Sequence, residues 1–306
     1  MANFTPTTNA VAIPTIIAQE VVKLFPGYLN LAKFVSKDTD WTGSDFQTFG
    51  NTLDIVKPGS ISSQTKTPGS NYTNQAATAT KLSVTLDQHK YVSLLEEDIT
   101  KMLQKPDLQQ AYARNAAIKL AEEVEQFLFG LHPSAVYTET FDATSATTIE
   151  ASFLRIRSRF ARNKVPQSML KAAFLDTSII DKLLTVEKYS RGDYIGNTEA
   201  VNMGAIRRIY NINIFESQVV PTTGSPVAYH SAALTPYGMV LVNRPMPLDG
   251  NGKGVRMNNF QDPLTGLTFR LTEGYDLDAG GLVIRLELVY GGAIADNTQY
   301  IEVESF

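Results

Sequence analysis

The chain has 306 residues, of which 43% are hydrophobic and 19% are charged, and its formal net charge is −4 at pH 7. The length suggests about two domains, and the small negative charge argues against a chain that binds nucleic acid through an overall basic surface. The absence of cysteine excludes disulfides, thiolate metal sites and cysteine nucleophiles. The charged fraction is below the roughly 25% of ordinary soluble domains, which fits a surface largely covered by other subunits.

An N-terminal arm is predicted for residues 1–46. Residues 13–24 favour a short helix, which Pro26 and Gly27 would end. Residues 39–45 are polar apart from one tryptophan. The first residues do not have the pattern of a signal peptide, and no apolar run approaches the ~20 residues that span a bilayer.

An extended loop is predicted for residues 47–92. Apolar and polar residues alternate around Leu53 and again around Val84, which predicts two half-buried strands. Between them, residues 57–80 are rich in Ser, Thr, Gly, Asn and Pro. Such a segment is either an extended hairpin that lies on a neighbouring subunit or a disordered surface loop, and the residue pattern leaves both interpretations open.

A long helix is predicted over residues 107–131. Asp107 and Gln110 have the spacing of a capping box, and Gly130 and Pro133 would end the helix. At 1.5 Å per residue it would span about 37 Å, the width of a small domain. The helical period places on a buried face Ala113, Ala116, Ala117, Leu120, Val124, Phe127, Leu128 and Leu131, and on an exposed face Arg114, Asn115, Lys119, Glu122, Glu125 and Gln126. We interpret it as a spine against which distant strands pack.

The remaining residues predict a mixture of helices and strands. A second amphipathic helix is expected over 151–163, with Phe153, Ile156 and Phe160 facing inward. A strand follows at 172–175, and a helix is expected to begin with a cap at Ser178. Further strands are expected around Ile209 and Ile214 and, in the last third, at 267–271, 282–290 and 298–304.

No motif predicts catalysis, a cofactor or a metal ion. The three histidines, His89, His132 and His230, lie in different segments, and none has a metal-binding partner one helical turn away, so each is expected to be structural or exposed. Residues 250–254 lack the full pattern of a phosphate-binding loop, so a surface turn is expected there. Residues 276–281 approach a calcium-loop pattern, but strands flank them on both sides, so a β-turn is expected.

A line of three arginines is also expected to be structural. Arg155, Arg159 and Arg162 follow one face of the second helix. Such a face is more often solvated or salt-bridged than phosphate-binding.

The order of these features resembles the major capsid proteins of tailed bacteriophages, which have the Hong Kong ninety-seven (HK) capsid fold. Residues 50–55 resemble the segment that begins the family's extended loop, and residues 84–87, together with Tyr91 and the acidic pair at 97–98, resemble its end. Residues 163–166 resemble a turn of the family's axial domain. A pattern near the end of that domain is matched by Gly204, Ile206, Ile209, Ile214, Ser217 and Pro221.

The resemblance implies an α+β chain with a defined division. Its parts are an N-terminal arm (1–46), an extended β-hairpin loop (47–92), a peripheral domain (93–150) with the spine helix 107–131, an axial domain (151–255) and returning strands of the peripheral domain (256–306). The implied function is that of a major capsid protein, without catalytic activity or a cofactor. Such subunits form hexamers and pentamers of an icosahedral virion shell in the bacterial cytoplasm. The implied partners are further copies of the chain, a separate scaffolding protein, a portal protein and non-specifically contacted double-stranded DNA, and no membrane.

Two groups of residues are expected to carry this function. Contacts between subunits are expected from the loop residues Lys57, Pro58, Ile61, Lys66, Pro68 and Tyr72. The core under the spine helix is expected to contain Leu120, Val124, Phe127 and Leu128. One family member joins neighbouring subunits by a Lys–Asn isopeptide bond, but lysines in a polar loop are expected to be merely solvated.

Two other functions remain as alternatives. An encapsulin-type shell has the same fold and would enclose a cargo enzyme instead of DNA. A hydrolase or a sugar-binding β-protein belongs to a different class, and the scarcity of histidine and the lack of a paired acid and base argue against it.

Overall fold

The computed structural model describes residues 29–37, 52–59, 61–72, 74–97, 107–142, 144–186, 208–224, 227–249, 255–262 and 265–305. The predicted arm helix at 13–24 and the glycine-rich segment at 250–254 lie outside the described residues. For Ala113 and Arg114 only the helical backbone is described.

The described part of the chain contains four α-helices. They are α1 (Leu31–Phe34), α2 (Asp107–Phe129), α3 (Ala146–Arg162) and α4 (Thr177–Leu184). Helix α2 is the predicted long helix, and it ends two residues earlier than the sequence predicts. The N–H of Gly130 still donates to the carbonyl of Gln126 at 2.8 Å, and the 3₁₀ turn His132–Ser134 follows.

Two helices begin at other residues than the sequence predicts, because of their caps. Helix α3 begins five residues early because Ser145 and Thr148 form a capping box. The Ser145 hydroxyl accepts from the backbone N–H of Thr148 at 3.2 Å, and the Thr148 hydroxyl accepts from the N–H of Ser145 at 3.0 Å. The predicted cap at Ser178 is wrong, since Asp176 caps α4 by accepting from the N–H of Ser178 at 2.8 Å.

The strands form two larger sheets and one hairpin. The described strands are β1 (Ser36–Lys37), β2 (Thr52–Pro58), β3 (Ala79–Thr85), β4 (Gln88–Glu97), β5 (Thr138–Phe141), β6 (Ala172–Asp176), β7 (Arg208–Ile209), β8 (Ile212–Ser217), β9 (Thr222–Thr223), β10 (Ala228–Leu234), β11 (Met239–Asn243), β12 (Val255–Gln261), β13 (Thr268–Asp276), β14 (Gly281–Ile294) and β15 (Tyr300–Ser305). A six-stranded sheet has the order β1-β11-β14-β13-β12, with β4 also paired to β14. A seven-stranded sheet has the order β5-β15-β10-β6-β8-β7, with β9 paired to β10, and among the described strands β2 pairs with β3 alone. The chain is therefore a mixed α+β protein.

Strands β13 and β14 confirm the β-turn expected at 276–281. Asp276 pairs with Gly281 across the end of the two antiparallel strands. Asp276 Oδ1 accepts from the backbone N–H groups of Asp278 at 2.9 Å and Ala279 at 3.2 Å. The carboxylate is therefore used to close the turn between two strands, where a calcium loop needs flanking helices.

Helix α2 lies against both larger sheets. Leu120, Val124 and Leu128 are buried in one core with Phe174 of the seven-stranded sheet and Leu286 of the six-stranded sheet. A second core covers the other face of the seven-stranded sheet. There α3 and α4 contribute the buried side chains Ile149, Phe153, Ile156, Phe160, Ile179, Ile180 and Leu183.

Glu125 was predicted on the exposed face of the long helix, and that prediction is wrong. Its side chain is buried, with 2% of the residue exposed. Its carboxylate accepts from the backbone N–H groups of Asn30 at 2.8 Å, Leu31 at 3.2 Å and Ala32 at 3.0 Å. These N–H groups belong to the first turn of α1 and have no partner within that helix. Burial raises the pKa of the Glu125 carboxyl, and the three N–H groups act in the opposite direction.

Candidate assembly surface

The hairpin β2–β3 is fixed to the body of the protein by one face of its stem. The strands are antiparallel and in register from Thr52 opposite Thr85 to Pro58 opposite Ala79. The inward residues Leu53, Ile55 and Val84 are buried against a set of residues on and beside β11 and β14. That set is Val240, Val242, Ala293 and Ala295. This confirms the two half-buried strands that the sequence predicts around Leu53 and Val84.

The other face of the stem is polar and solvated. Asp54 lies between Lys81, whose Nζ is 2.6 Å away, and Ser83, whose hydroxyl donates to Asp54 Oδ1 at 2.7 Å. Hydrogen bonds from Lys81 and then Ser83 lower the pKa of the Asp54 carboxyl. At the end of β2, burial lowers the pKa of Lys57, and the charge of Asp296 opposes that shift. Lys57 therefore interacts electrostatically with Asp296 at the end of the stem.

Beyond the stem, the loop tip comprises residues 61–72 and 74–78, and every one of these residues is exposed. Its two large apolar side chains, Ile61 and Tyr72, are 84% and 77% exposed. Large apolar side chains that no other described residue covers are typical of a surface that another molecule contacts.

The loop tip is nevertheless held in a defined shape by its own contacts. Gln75 bonds across the loop to Ser62, accepting from its N–H at 3.2 Å and donating to its carbonyl at 3.0 Å. The N–H of Ser70 donates to the carbonyl of Thr67 at 3.1 Å, which closes a turn. Pro68 and Gly69 are the central residues of that turn, and Gly69 has φ of +84°, as a type II turn requires. The tip is therefore preorganised as well as exposed.

The architecture can be compared with solved structures of known proteins. A structure from Mycobacterium phage Che8 matches with a TM-score of 0.65 over 91% of this chain and 90% of that chain, at 17% identity. The capsid structure of the cyanophage P-SCSP1u matches with a TM-score of 0.62 over 85% and 84%, at 13% identity. The capsid of Ralstonia phage GP4 matches with a TM-score of 0.61 over 89% and 87%, at 10% identity.

The chain has the phage capsid fold. This confirms the resemblance that the order of sequence features predicts, and the shared property is the architecture, since few residues are identical. No model of a known family matches the sequence, and no curated protein matches it. None of the described helices is long and apolar enough to cross a membrane.

Within this capsid fold, the six predicted loop residues all lie on the β2–β3 hairpin and its tip. Lys57 and Pro58 end strand β2, and Pro68 lies in the turn of the tip. Lys66 and Tyr72 lie together, since the Lys66 ammonium is 4.1 Å from the centre of the Tyr72 ring. The structure therefore groups these residues on one element, and contact with a second subunit stays a prediction.

The predicted core residues of the long helix lie at the interior of the capsid fold. Leu120, Val124 and Leu128 are buried, and Phe127 is half-buried. The Phe127 ring meets the Tyr290 ring edge-on at a distance of 5.3 Å between centres. Helix α2 therefore positions the six-stranded sheet to which the hairpin stem is attached.

The three histidines lie in different segments, and the structure brings two of them together. The rings of His132 and His230 stack, with their centres 4.1 Å apart, and Glu302 lies beside His230. These residues are far apart in the sequence, so no local spacing indicates their contact.

The arginine face of α3 was expected to be solvated or salt-bridged. Arg159 agrees with this expectation, since it forms an ion pair with Glu139 at 2.6 Å.

Proposed function

We propose that the chain is the major capsid protein of a tailed phage. In this proposal its copies form hexamers and pentamers of an icosahedral shell around double-stranded DNA. The observation that carries the proposal is the combination of the phage capsid fold with a preorganised, exposed loop tip that no other described part of the chain covers.

We propose a correspondence between the elements of the chain and the parts of the HK fold. Helix α2 is the proposed spine helix, and the hairpin β2–β3 with the loop tip is the proposed extended loop. We assign the six-stranded sheet with α2 to the peripheral domain, and the seven-stranded sheet with α3 and α4 to the axial domain. In this assignment β15 belongs to the axial domain and β11 to the peripheral domain, so a single boundary near residue 256 does not separate the two.

The loop tip is proposed to lie on an adjacent subunit. The stem is anchored by Leu53, Ile55 and Val84, so it holds the tip at a fixed position on the body. Covering Ile61 on a neighbour stabilises the contact by about 1.5–3 kcal/mol. The internal hydrogen bonds of the tip reduce the conformational entropy that is lost when it binds.

The remaining parts of the proposal concern the partners and the place of assembly. The subunit acts as a structural protein without catalysis or a cofactor, and it assembles in the bacterial cytoplasm into the virion. A separate scaffolding protein and a portal protein are its proposed partners, and the packaged DNA is contacted without sequence specificity. An overall charge of −4 fits a shell that does not condense DNA on a basic lining.

The proposal is tested by determining which molecules are present in particles of this chain, purified after infection or after co-expression with the other structural proteins of the phage. Mass spectrometry and nucleic-acid analysis should detect a portal protein and double-stranded DNA. A cargo enzyme in place of DNA would identify an encapsulin-type shell, which no specific feature of the described residues favours. A monodisperse monomer in light scattering, with no particles, would contradict both shell functions.

A further inference from the structure

A polar cluster joins the end of helix α2 to the seven-stranded sheet. His132 lies in the 3₁₀ turn after α2, His230 lies on β10, and Glu302 lies on β15. The two imidazole rings stack with an angle of 15° between their planes, and His230 Nδ1 is 2.7 Å from Glu302 Oε1. His230 and Glu302 are each 7% exposed, whereas His132 is half-buried.

Each of the three side chains is oriented by a further hydrogen bond. His132 Nδ1 donates to the carbonyl of Phe129 at 3.1 Å, which leaves its Nε2 free to act as a ligand. The Thr223 hydroxyl lies 2.5 Å from His230 Nε2, and the Thr138 hydroxyl donates to Glu302 Oε2 at 2.8 Å. Supporting bonds of this kind fix the ring orientation and tautomer of histidines that bind metal ions.

The donor set matches a class of metal ion. One ligand atom from each residue lies within 4.8 Å of the other two. Two imidazoles and one carboxylate, with a fourth position left to water, bind zinc and related divalent ions in proteins. We propose that His132, His230 and Glu302 bind one divalent transition-metal ion of the zinc class. This proposal does not depend on the proposed capsid function.

Binding requires one side chain to move. A histidine binds a metal ion in the plane of its ring, so two stacked rings cannot both direct a nitrogen to the same point. His230 and Glu302 are buried and held by Thr223 and Thr138. The half-exposed His132 ring is held by a single bond to the carbonyl of Phe129, so it is the ring that gives up this bond and turns out of the stack to bring its Nε2 towards Glu302. In a tetrahedral zinc site the ligand atoms lie about 3.4 Å apart. His230 Nδ1 and Glu302 Oε1, which are 2.7 Å apart, therefore separate slightly to admit the ion, while the His132 nitrogen approaches them.

The hydroxyl of Thr223 allows His230 to adopt the tautomer in which Nδ1 can bind the ion. A threonine hydroxyl can donate to an imidazole nitrogen or accept from it. When it accepts, Nε2 carries the ring proton and Nδ1 presents its lone pair to the ion. The bound ion would then connect the C-terminal end of α2 to β10 and β15, which stabilises the contact between the helix and the sheet.

Zinc binding to the purified full chain tests the proposal. After treatment with a chelator and its removal, the chain is titrated with zinc chloride by calorimetry and with cobalt(II) by visible absorption. We expect one ion per chain, the strong visible bands of tetrahedral cobalt, and a higher melting temperature in the presence of zinc, because the ion binds only the native state. The cobalt bands distinguish this site from loose surface binding.

Variants locate the ion. His132→Ala removes the half-exposed ligand. Loss of a hydrogen bond that supports a ligand weakens metal binding about 10- to 100-fold, so loss of the ligand itself should weaken zinc binding at least as much. Glu302→Gln should weaken it while keeping the shape of the side chain. His89→Ala is the matched control, since His89 is an exposed histidine on β4, and it should bind zinc as the unmodified chain does. Absence of saturable binding, or unchanged affinity in the folded His132→Ala chain, would overturn the proposal.

Discussion

Removing the loop tip should prevent assembly and leave the subunit folded. The change replaces residues 58–79 with a short Gly-Ser turn, so the stem keeps Leu53, Ile55 and Val84 and their contacts with the six-stranded sheet. No described residue of the replaced segment belongs to a hydrophobic core. We therefore expect circular dichroism and the melting temperature of unassembled subunits to change little.

The effect on assembly follows from the surface that the tip presents. Ile61 and Tyr72 are largely exposed, and covering both on a neighbour would contribute about 3–6 kcal/mol per subunit. Each 1.4 kcal/mol is a factor of ten in an equilibrium constant, so the loss weakens each subunit contact by about two to four powers of ten. The same contact is repeated around the whole shell, so assembly should fail or give aberrant particles.

Sedimentation and electron microscopy measure the outcome. A double variant, Ile61→Ser with Tyr72→Ser, keeps the length of the loop and should show a weaker form of the same defect. Leu277→Ser is a control matched for exposure, since Leu277 is 86% exposed in the turn between β13 and β14. Normal closed shells from the deletion would mean that the tip is a dispensable surface loop. An unfolded subunit would mean that the tip belongs to the core.

Further predictions concern the helix, the stem and the loop lysines. Val124→Asp places an unpaired charge between the two sheets, so it should lower the free energy of unfolding by about 3–5 kcal/mol and give insoluble protein. Soluble, normally assembling protein would refute the assignment of Val124 to the buried face of α2. Glu125→Ala leaves the three backbone N–H groups at the start of α1 without their acceptor, so the free energy of unfolding measured by urea titration should fall by about 1–3 kcal/mol. Unchanged stability would show that this contact does not stabilise the fold. The pKa of Asp54 is lowered in the folded chain, so its ionised carboxylate stabilises the stem above the ordinary value of 3.8, and this stabilisation is lost as the pH falls through the lowered pKa. In Asp54→Asn the free energy of unfolding should therefore decrease less as the pH is lowered through this range. Denaturing gels of particles should show no ladder of multimers, and Lys57→Arg and Lys66→Arg should leave that pattern unchanged; a ladder that either variant abolishes would demonstrate a lysine cross-link.

Periodicity predicts the elements that bury one face against a continuous core. Helix α2 and strands β13 and β14 show the periods of 3.6 and 2 residues expected for such elements, and the structure contains them. Strand β4 is not predicted, because its sequence combines charged and apolar residues without a clear alternation. It is a strand because β14 supplies a full ladder of partners from Gly281 to Tyr290.

Contacts between distant segments explain what the sequence does not reveal. Glu125 has the position of an exposed helical residue, and only the backbone of α1, about a hundred residues earlier in the chain, makes its burial favourable. The cluster of His132, His230 and Glu302 likewise depends on the end of α2 meeting the pairing of β10 with β15. Neither arrangement has a local spacing that a sequence pattern can detect.

Electron cryomicroscopy of particles formed by the unmodified chain tests the central claim most directly. The account predicts closed shells built from hexamers and pentamers, in which residues 61–72 of each subunit lie on the adjacent subunit and bury Ile61 and Tyr72. A chain that remains monomeric, or shells in which the loop tip extends into solvent without a neighbour, would contradict it.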